Sequence, residues 1–275
     1  MNSRWGFFCG ITLQSMHFVK LDAAGNDFVA LDFRAEGRSV VLPSTQQLMH
    51  WCDRKRGVGA DGVLVLRADD EPGVAYALSF FNPDGSPAFC GNGARAAFWW
   101  ARQLGAPDQL VFRAIDGLHQ AQFSHETGCA VGVYCKEQPR ATAHGQFVNS
   151  GTQHVVQLLD TAAQVRDCNL PDLACPVRHH ADFAPEGVNV NIASRESDGE
   201  GRHAMRTFEK GVECETLSCG SGAVAVAKVL QEALAYNGPV HLIAPGGVLK
   251  VWTDAADVTW LSGPVAKPFK GEFTK

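Results

Sequence analysis

The sequence predicts an α+β fold of two pseudo-symmetric domains, each a mostly antiparallel sheet wrapped around a central helix. Three observations carry this expectation. Two cysteine-glycine helix starts, CGNGARAAFWW from Cys90 and CGSGAVAVA from Cys219, stand in corresponding places in the two halves of the chain. Each is preceded and followed by short β-type segments divided by turn residues. The helical patterns are too few for a βαβ alternation, which argues against a doubly wound parallel sheet, and the repeated order of elements points to duplication.

Taken in order from Met16, the segments HFVKLDA, NDFVALDF, GVLVLRA and YALSFFN read as strands. Residues 93–104, GARAAFWWARQL, read as a helix that is apolar most of the way round, as expected of a helix enclosed by sheet. LVFRAI, HQAQFS and AVGVYCK follow as strands. The second half repeats the order: QFVNSG and GVNVNIA lead through AMRTFEK to the helix CGSGAVAVAKVLQEAL, then to the strands VHLIAP, VLKVWT and VTWLSG. The expected domains are 16–132 and 133–263, with 264–275 returning to the first and 1–15 forming a disordered extension.

The bulk numbers exclude several functions. The chain has 275 residues, is 45% hydrophobic and carries a formal charge of -5, with 24 basic against 29 acidic residues and no long basic run. Neither a nucleic-acid surface nor attachment to an anionic membrane is expected, and small polar ligands are the predicted partners. No apolar stretch approaches the roughly 20 residues of a membrane span. Nine cysteines, an odd number with no C-x-x-C pair, argue against a disulfide framework or a zinc knuckle and for a reducing cytoplasm. The Walker lysine and the dinucleotide fingerprint are both missing, so no cofactor and no metal are expected.

The two cysteines carry the chemistry. At a helix N-terminus, free N–H groups and the aligned peptide dipoles stabilise an anion, so each thiol is expected to fall from about 8.5 towards 7 and to act as a base near neutral pH. A single such cysteine reads better as a small buried hydrophobe, but size alone does not require the same glycine-rich context twice, and the pairing reverses the preference. A thiol-acyl mechanism needs one nucleophile with a histidine and has no use for a matching second cysteine. Inversion at a tetrahedral carbon needs two groups: a base on one face removes a proton and an acid on the other returns one. In this reading the glycines leave room for a substrate carboxylate at the open amides.

Six ordered motifs then resemble the diaminopimelate epimerase family over nearly the whole chain from Met16. They are KLDAAGNDF (20–28), RGVGADG (56–62), FNPDGSPAFCGNGAR (81–95), NSGTQH (149–154), GVNVN (187–191) and RTFEKGVECETLSCGSGA (206–223). The resemblance implies a cofactor-independent epimerase that interconverts LL- and meso-diaminopimelate in lysine and cell-wall precursor biosynthesis, with a homodimer as its assembly. It implies Cys90 and Cys219 as the acid/base pair, His154 and Glu209 as the groups that tune them, and Asn26, Asn82, Gly91, Asn92, Thr152, Asn189, Lys210, Gly220 and Ser221 around the substrate. Two positions depart from the family pattern. Thr152-Gln153 stands where the family often has Asn-Pro, and Lys210 stands where it often has Arg, so a hydroxyl replaces an amide and a bidentate grip on a distal carboxylate is lost. A racemase of another amino acid such as histidine, and a ligand-binding protein on an inactive scaffold, are the alternatives at this point. Cys214 has no role in any of these readings.

Overall fold

A computed structural model describes residues 16–36, 40–135 and 137–273. The extension expected over 1–15 lies outside the described residues. The first half runs β1 (Met16–Ala23), β2 (Asn26–Phe33), α1 (Thr45–Cys52), β3 (Gly62–Arg67), β4 (Val74–Phe81), β5 (Pro87–Ala88), α2 (Gly91–Gln103), β6 (Gln109–Ala114), β7 (Gly117–Ser124) and β8 (Gly128–Val133). The second runs β9 (Arg140–Thr142), β10 (Gly145–Asn149), β11 (Gln153–Leu159), α3 (Ala162–Asp167), α4 (Leu170–Arg178), β12 (Asn189–Ser194), β13 (Arg202–Glu209), β14 (Cys214–Thr216), α5 (Gly220–Ala233), β15 (Val240–Ala244), β16 (Gly247–Thr253), β17 (Thr259–Ser262) and β18 (Ala266–Phe273).

The expected α+β class and the internal duplication are both present. In the first half β2–β3 and β4–β6 are parallel, and in the second β11–β12 and β13–β15 are parallel. The other pairings among the described residues are antiparallel. The halves join where β8 runs antiparallel to β17, Ala130 opposite Ser262 and Val133 opposite Thr259. The second half also gives its last strand away: β18 follows β17 in the chain but pairs with β1 along most of its length, whereas β9 forms a hairpin with β10 inside the second half.

The two long helices lie where the sequence places them, α2 within a residue or two of 93–104 and α5 within the 219–234 segment. Their small side chains make a single core that crosses both halves. Ala94, Ala97 and Phe98 of α2 and Ala223, Val226 and Leu230 of α5 share a buried cluster with Leu64, Phe112, Val156 and Leu249 from the strands. The shorter helices cover the opposite faces. Leu48 and Trp51 of α1 pack on Val29 and Val65, and Leu170 and Val177 of α4 pack on Val190 and Phe208.

Those shorter helices, and β11, are absent from the elements expected of the sequence. Helices of six to nine residues present too few turns for an apolar stripe to stand out. A local signal was nevertheless present for two of them: Ser44 with Gln47 and Thr161 with Gln164 are reciprocal capping boxes at the starts of α1 and α3.

The turn between β1 and β2 presses against the second half. Ala24 and Gly25 have φ of 59° and 85°, as a two-residue hairpin with the twist of its strands demands. A Cβ on Gly25 would lie 2.6 Å from Leu217 Cβ, and one on Gly246 would lie 1.8 Å from the Ala24 carbonyl oxygen. The Gly246 N–H in turn donates to Leu217 O at 2.8 Å, two residues before Cys219. Backbone occupies this space and cannot rotate away, so Gly246→Ala is expected to lower unfolding stability by about 3 kcal/mol. Urea denaturation followed by circular dichroism measures it, and an unchanged midpoint would contradict the close approach.

Candidate active site

Cys90 and Cys219 are the N-caps of α2 and α5. Their backbones are nearly superimposable in conformation, with φ, ψ of -133°, 112° and -121°, 114°. Each Sγ accepts the N–H three residues on, from Gly93 and from Gly222, both at 3.4 Å. Cys219 is buried and Cys90 partly exposed.

The two helix starts touch. Asn92 reaches across from α2, its Nδ2 donating to Ser218 O at 3.3 Å and lying 3.2 Å from Ser218 Oγ. Arg95, fully buried, braces Asn92 through Nη2 to Oδ1 at 2.9 Å and reaches Pro264 O with Nη1 at 2.5 Å. A Cβ on Gly220 would lie 3.1 Å from Asn92 Oδ1, one on Gly91 3.1 Å from Leu261, one on Gly93 2.9 Å from Leu64, and one on Gly222 2.5 Å from Asn191 Oδ1. This corrects one expectation. The glycines do not leave open space for a ligand on their Cβ side; they let two helix starts and their neighbouring strands close on one another.

A second correction concerns the thiols. Burial pushes Cys90 up to about 11, with the Gly93 amide pulling the other way and Glu209 adding to the rise. Cys219 is pushed up to about 12, again chiefly by burial, then by Glu209, with Ser221 and Gly222 opposing and Cys90 adding to the rise. The helix N-termini act in the expected direction, but desolvation of a thiolate outweighs them. Glu209 is itself held above the usual carboxylate range by burial, while Thr216 Oγ1 donates to its Oε2 at 2.9 Å. The Glu209 charge thus acts on both thiols, and Cys90 acts on Cys219.

His154 is fully buried at the start of β11. Asn191 Nδ2 contacts its Nδ1 at 3.0 Å and also donates to Val155 O, while Thr207 donates to Asn191 Oδ1 at 2.9 Å. The Asn191 amide is thereby oriented with its N–H towards the ring, which makes Nδ1 the acceptor and leaves the proton on Nε2. Nε2 faces Thr152 Oγ1 at 2.8 Å and Ser221 Oγ at 3.0 Å, and Ser221 Oγ lies 3.5 Å from Cys219 Sγ. Burial, with Lys210 nearby, drives the imidazole down to about 3.

On the Cys90 side, Asn26 Oδ1 lies 3.7 Å from Cys90 Sγ and 3.4 Å from Asn92 Nδ2. Its Nδ2 donates to Asp61 at 3.0 Å, and Asp61 is held by Arg54 at 2.6 Å. Asn189 accepts the Lys210 N–H at 2.8 Å and donates to Gln153 O at 3.1 Å. Thus hydrogen bonds and close contacts gather Cys90, Asn26, Asn92, Gly91 and Gly220 on one side, and Cys219, Ser221, His154, Thr152, Asn189 and Lys210 on the other, while Glu209 acts on both thiols through its charge. Asn82 makes its side-chain hydrogen bonds within the β4–β5 turn, its Nδ2 donating to Ser86 O and Oγ at 3.3 and 3.1 Å. Cys214 is exposed on β14. Asp61, Arg95, Asn191 and Ser218 were not singled out from the sequence, although all four lie within the matched motifs.

Solved structures share this fold. The chain superposes on a hydroxyproline epimerase from Agrobacterium vitis with a TM-score of 0.61 at 16% identity, covering 95% of this chain and 93% of that one. It superposes on a phenazine biosynthesis PhzF family protein from Enterococcus faecalis with a TM-score of 0.69 at 16% identity, covering 95% and 100%. In sequence, the diaminopimelate epimerase from Aquifex aeolicus is 34% identical over 94% of this chain and 98% of its own length. That from Methanopyrus kandleri is 34% identical over 94% and 88%, and the diaminopimelate epimerase family pattern matches residues 146–267. The chain belongs to the diaminopimelate epimerase family, and it is an isomerase.

His154 supplies a pH test. Its folded value lies below the ordinary 6.5, so the unfolded chain takes up the proton that the buried ring refuses. Its neutral burial therefore costs nothing above pH 6.5, and stability falls as pH drops from there towards 3. At pH 5 the loss from this residue is about 2 kcal/mol. Urea unfolding at pH 7 and pH 5 should show that slope in the wild type and a shallower one in His154→Gln; equal slopes would place a charged or exposed ring at 154.

Proposed function

We propose that the chain inverts the α-carbon of diaminopimelate between the LL and meso forms by a two-thiol mechanism without a cofactor. The observation that carries this is the paired N-cap geometry of Cys90 and Cys219, one from each half. The thiolate of one cysteine takes the α-proton, the C–H electron pair stays on the substrate as a carbanion, and the thiol of the other cysteine protonates the opposite face. The two cysteines exchange protonation states, and no redox change occurs.

First-turn amides of α2 and α5 not used by the caps receive the carboxylate on which charge develops. Because burial holds both thiols high in the ligand-free site, the positive α-ammonium of the substrate supplies the charge that favours a thiolate, and Glu209 takes the proton released. His154, with its proton on Nε2, has no free lone pair towards Cys219. It orients Ser221 instead, and Ser221 steadies Cys219.

Thr152 spends its hydroxyl on His154 and Ser221, which supports a role in the network rather than a grip on the distal end of the substrate. Lys210 makes no ion pair among the described residues and is the cation we assign to the distal carboxylate. No helix among the described residues is long and apolar enough to cross a membrane. A cytoplasmic location is supported by the eight free cysteines among them, and a homodimer is the assembly that belongs to this proposal.

Cys90→Ala and Cys219→Ala should each abolish inversion of LL- and meso-diaminopimelate, while the surviving thiol still exchanges the α-proton of one stereoisomer with deuterated solvent. Near-normal inversion in either variant would overturn the two-base assignment. Lys210→Met should lower kcat/KM for diaminopimelate by about 10- to 100-fold, the scale of one charged hydrogen bond. Faster wild-type turnover of histidine or another amino acid lacking a distal carboxylate would show that Lys210 serves a different substrate.

A further inference from the structure

At the far end of the β9–β10 hairpin from the cysteines, His144, His180 and Asp182 form a cluster that the proposed reaction does not use. His144 lies just before β10, five residues from Asn149 and so about 16 Å along the strand from the end that leads to Thr152 and His154. Its backbone is fixed on both sides: its N–H donates to Thr142 Oγ1 at 3.1 Å and its carbonyl accepts from Gln157 Nε2 at 2.8 Å. His180 and Asp182 belong to a single 3-10 turn, Ala181–Phe183 with His180 as its cap. That turn is anchored by Phe183, which is buried and stacked on Phe147 of β10 with ring centroids 6.0 Å apart.

The geometry of the three side chains is that of metal donors. One ligand atom from each lies within 4.8 Å of the other two, and the imidazole rings are 4.0 Å apart between centroids. Asp182 Oδ2 is 3.3 Å from His144 Nε2 and 3.4 Å from His180 Nδ1. Bonds of about 2.0–2.1 Å at tetrahedral angles separate donor atoms by about 3.3 Å, so both measured edges match. A separate observation points the same way. His144 Nε2 is shut off from solvent and has no hydrogen-bond partner, its approach to Asp182 having the distance but not the angle of a hydrogen bond. An orphaned buried imidazole nitrogen requires an explanation, and an ion held between it and the carboxylate provides one. His180 Nδ1 accepts the Asp182 N–H at 3.2 Å, so that nitrogen is unprotonated, the state a metal needs; an ion bound there displaces this hydrogen bond and leaves the exposed Asp182 N–H to solvent.

We propose that His144, His180 and Asp182 bind one divalent transition-metal ion of the zinc class, with solvent completing its coordination. Two imidazoles and a carboxylate suit Zn2+ better than Mg2+ or Ca2+, which take oxygen ligands. The half-exposed His180 and Asp182 leave a route for the ion to enter. The ion ties the β9–β10 hairpin to the turn that precedes β12, so its role is structural. The sequence hid the site because the ligands are separated by 36 and 2 positions and resemble no zinc-finger spacing.

The test uses chelator-treated full-length protein carrying Cys90→Ala and Cys219→Ala together with Cys175→Ala and Cys214→Ala, which removes the paired thiols and the exposed thiols that would otherwise compete for metal. Zn2+ titrated by calorimetry should bind one equivalent and raise the Tm. Co2+ should give visible bands of nitrogen and oxygen ligation without the near-ultraviolet charge transfer of a thiolate. His144→Gln and Asp182→Asn should each weaken Zn2+ binding by about tenfold or more, and His144→Gln in the otherwise natural chain should leave epimerase turnover unchanged. Undiminished binding in both variants, a thiolate band, or no binding up to about 0.1 mM Zn2+ would overturn the proposal. Asp182→Asn alters a mostly exposed side chain and decides the matter if His144→Gln does not fold.

Discussion

The contact between the starts of α2 and α5 is the constraint on which the site depends. Asn92 crosses from one half to Ser218 of the other, and Arg95 holds Asn92 in place while satisfying Pro264, just before the strand that returns to β1. Arg95 is entirely buried, and burial lowers its guanidinium to about 10, which still leaves it charged at neutral pH. A buried cation of this kind is tolerable only when hydrogen bonds compensate it. Its bonds converge on the junction of the halves, so the cost of burying it is offset where the two thiols must be held in register.

The same closeness sets the electrostatics. Two helix N-termini meet at one point, which would by itself favour anions, yet burial leaves both thiols above their ordinary range and Glu209 above its own. A site arranged in this way rests neutral and responds to charge brought by a ligand. His154 fits the pattern as a ring kept neutral by burial, its tautomer chosen by Asn191 and Thr207 and its proton directed towards Thr152 and Ser221. Five side chains are thus arranged behind one thiol without any of them being ionised.

Strand pairings across the halves hold that centre together. Because β18 of the second half pairs with β1 and β17 pairs with β8, separating the halves would expose sheet edges as well as the shared core around α2 and α5. The Ala24–Gly25 turn, seated against Leu217 and Gly246, adds a tight backbone contact close to Cys219.

Much of this was legible in the chain. The alternation of apolar and turn residues marks most of the longer strands, the two enclosed helices stand out because they are apolar all round, and the repeated Cys-Gly-x-Gly-Ala marks both thiols and the duplication. Periodicity and local chemistry are properties of neighbouring residues, so they survive reading in one dimension. The short helices α1, α3 and α4 did not, since a stripe of two turns is too weak to distinguish from chance. Nor did Asp61, Asn191, Arg95 and Ser218, whose partners Asn26, His154, Pro264 and Asn92 stand between 35 and 169 positions away in the chain. The direction in which the thiols shift was misread for the same reason: the helix N-terminus is visible in sequence, but the desolvation that overrides it is created by residues from both halves closing over the site, and burial is a property of the folded whole.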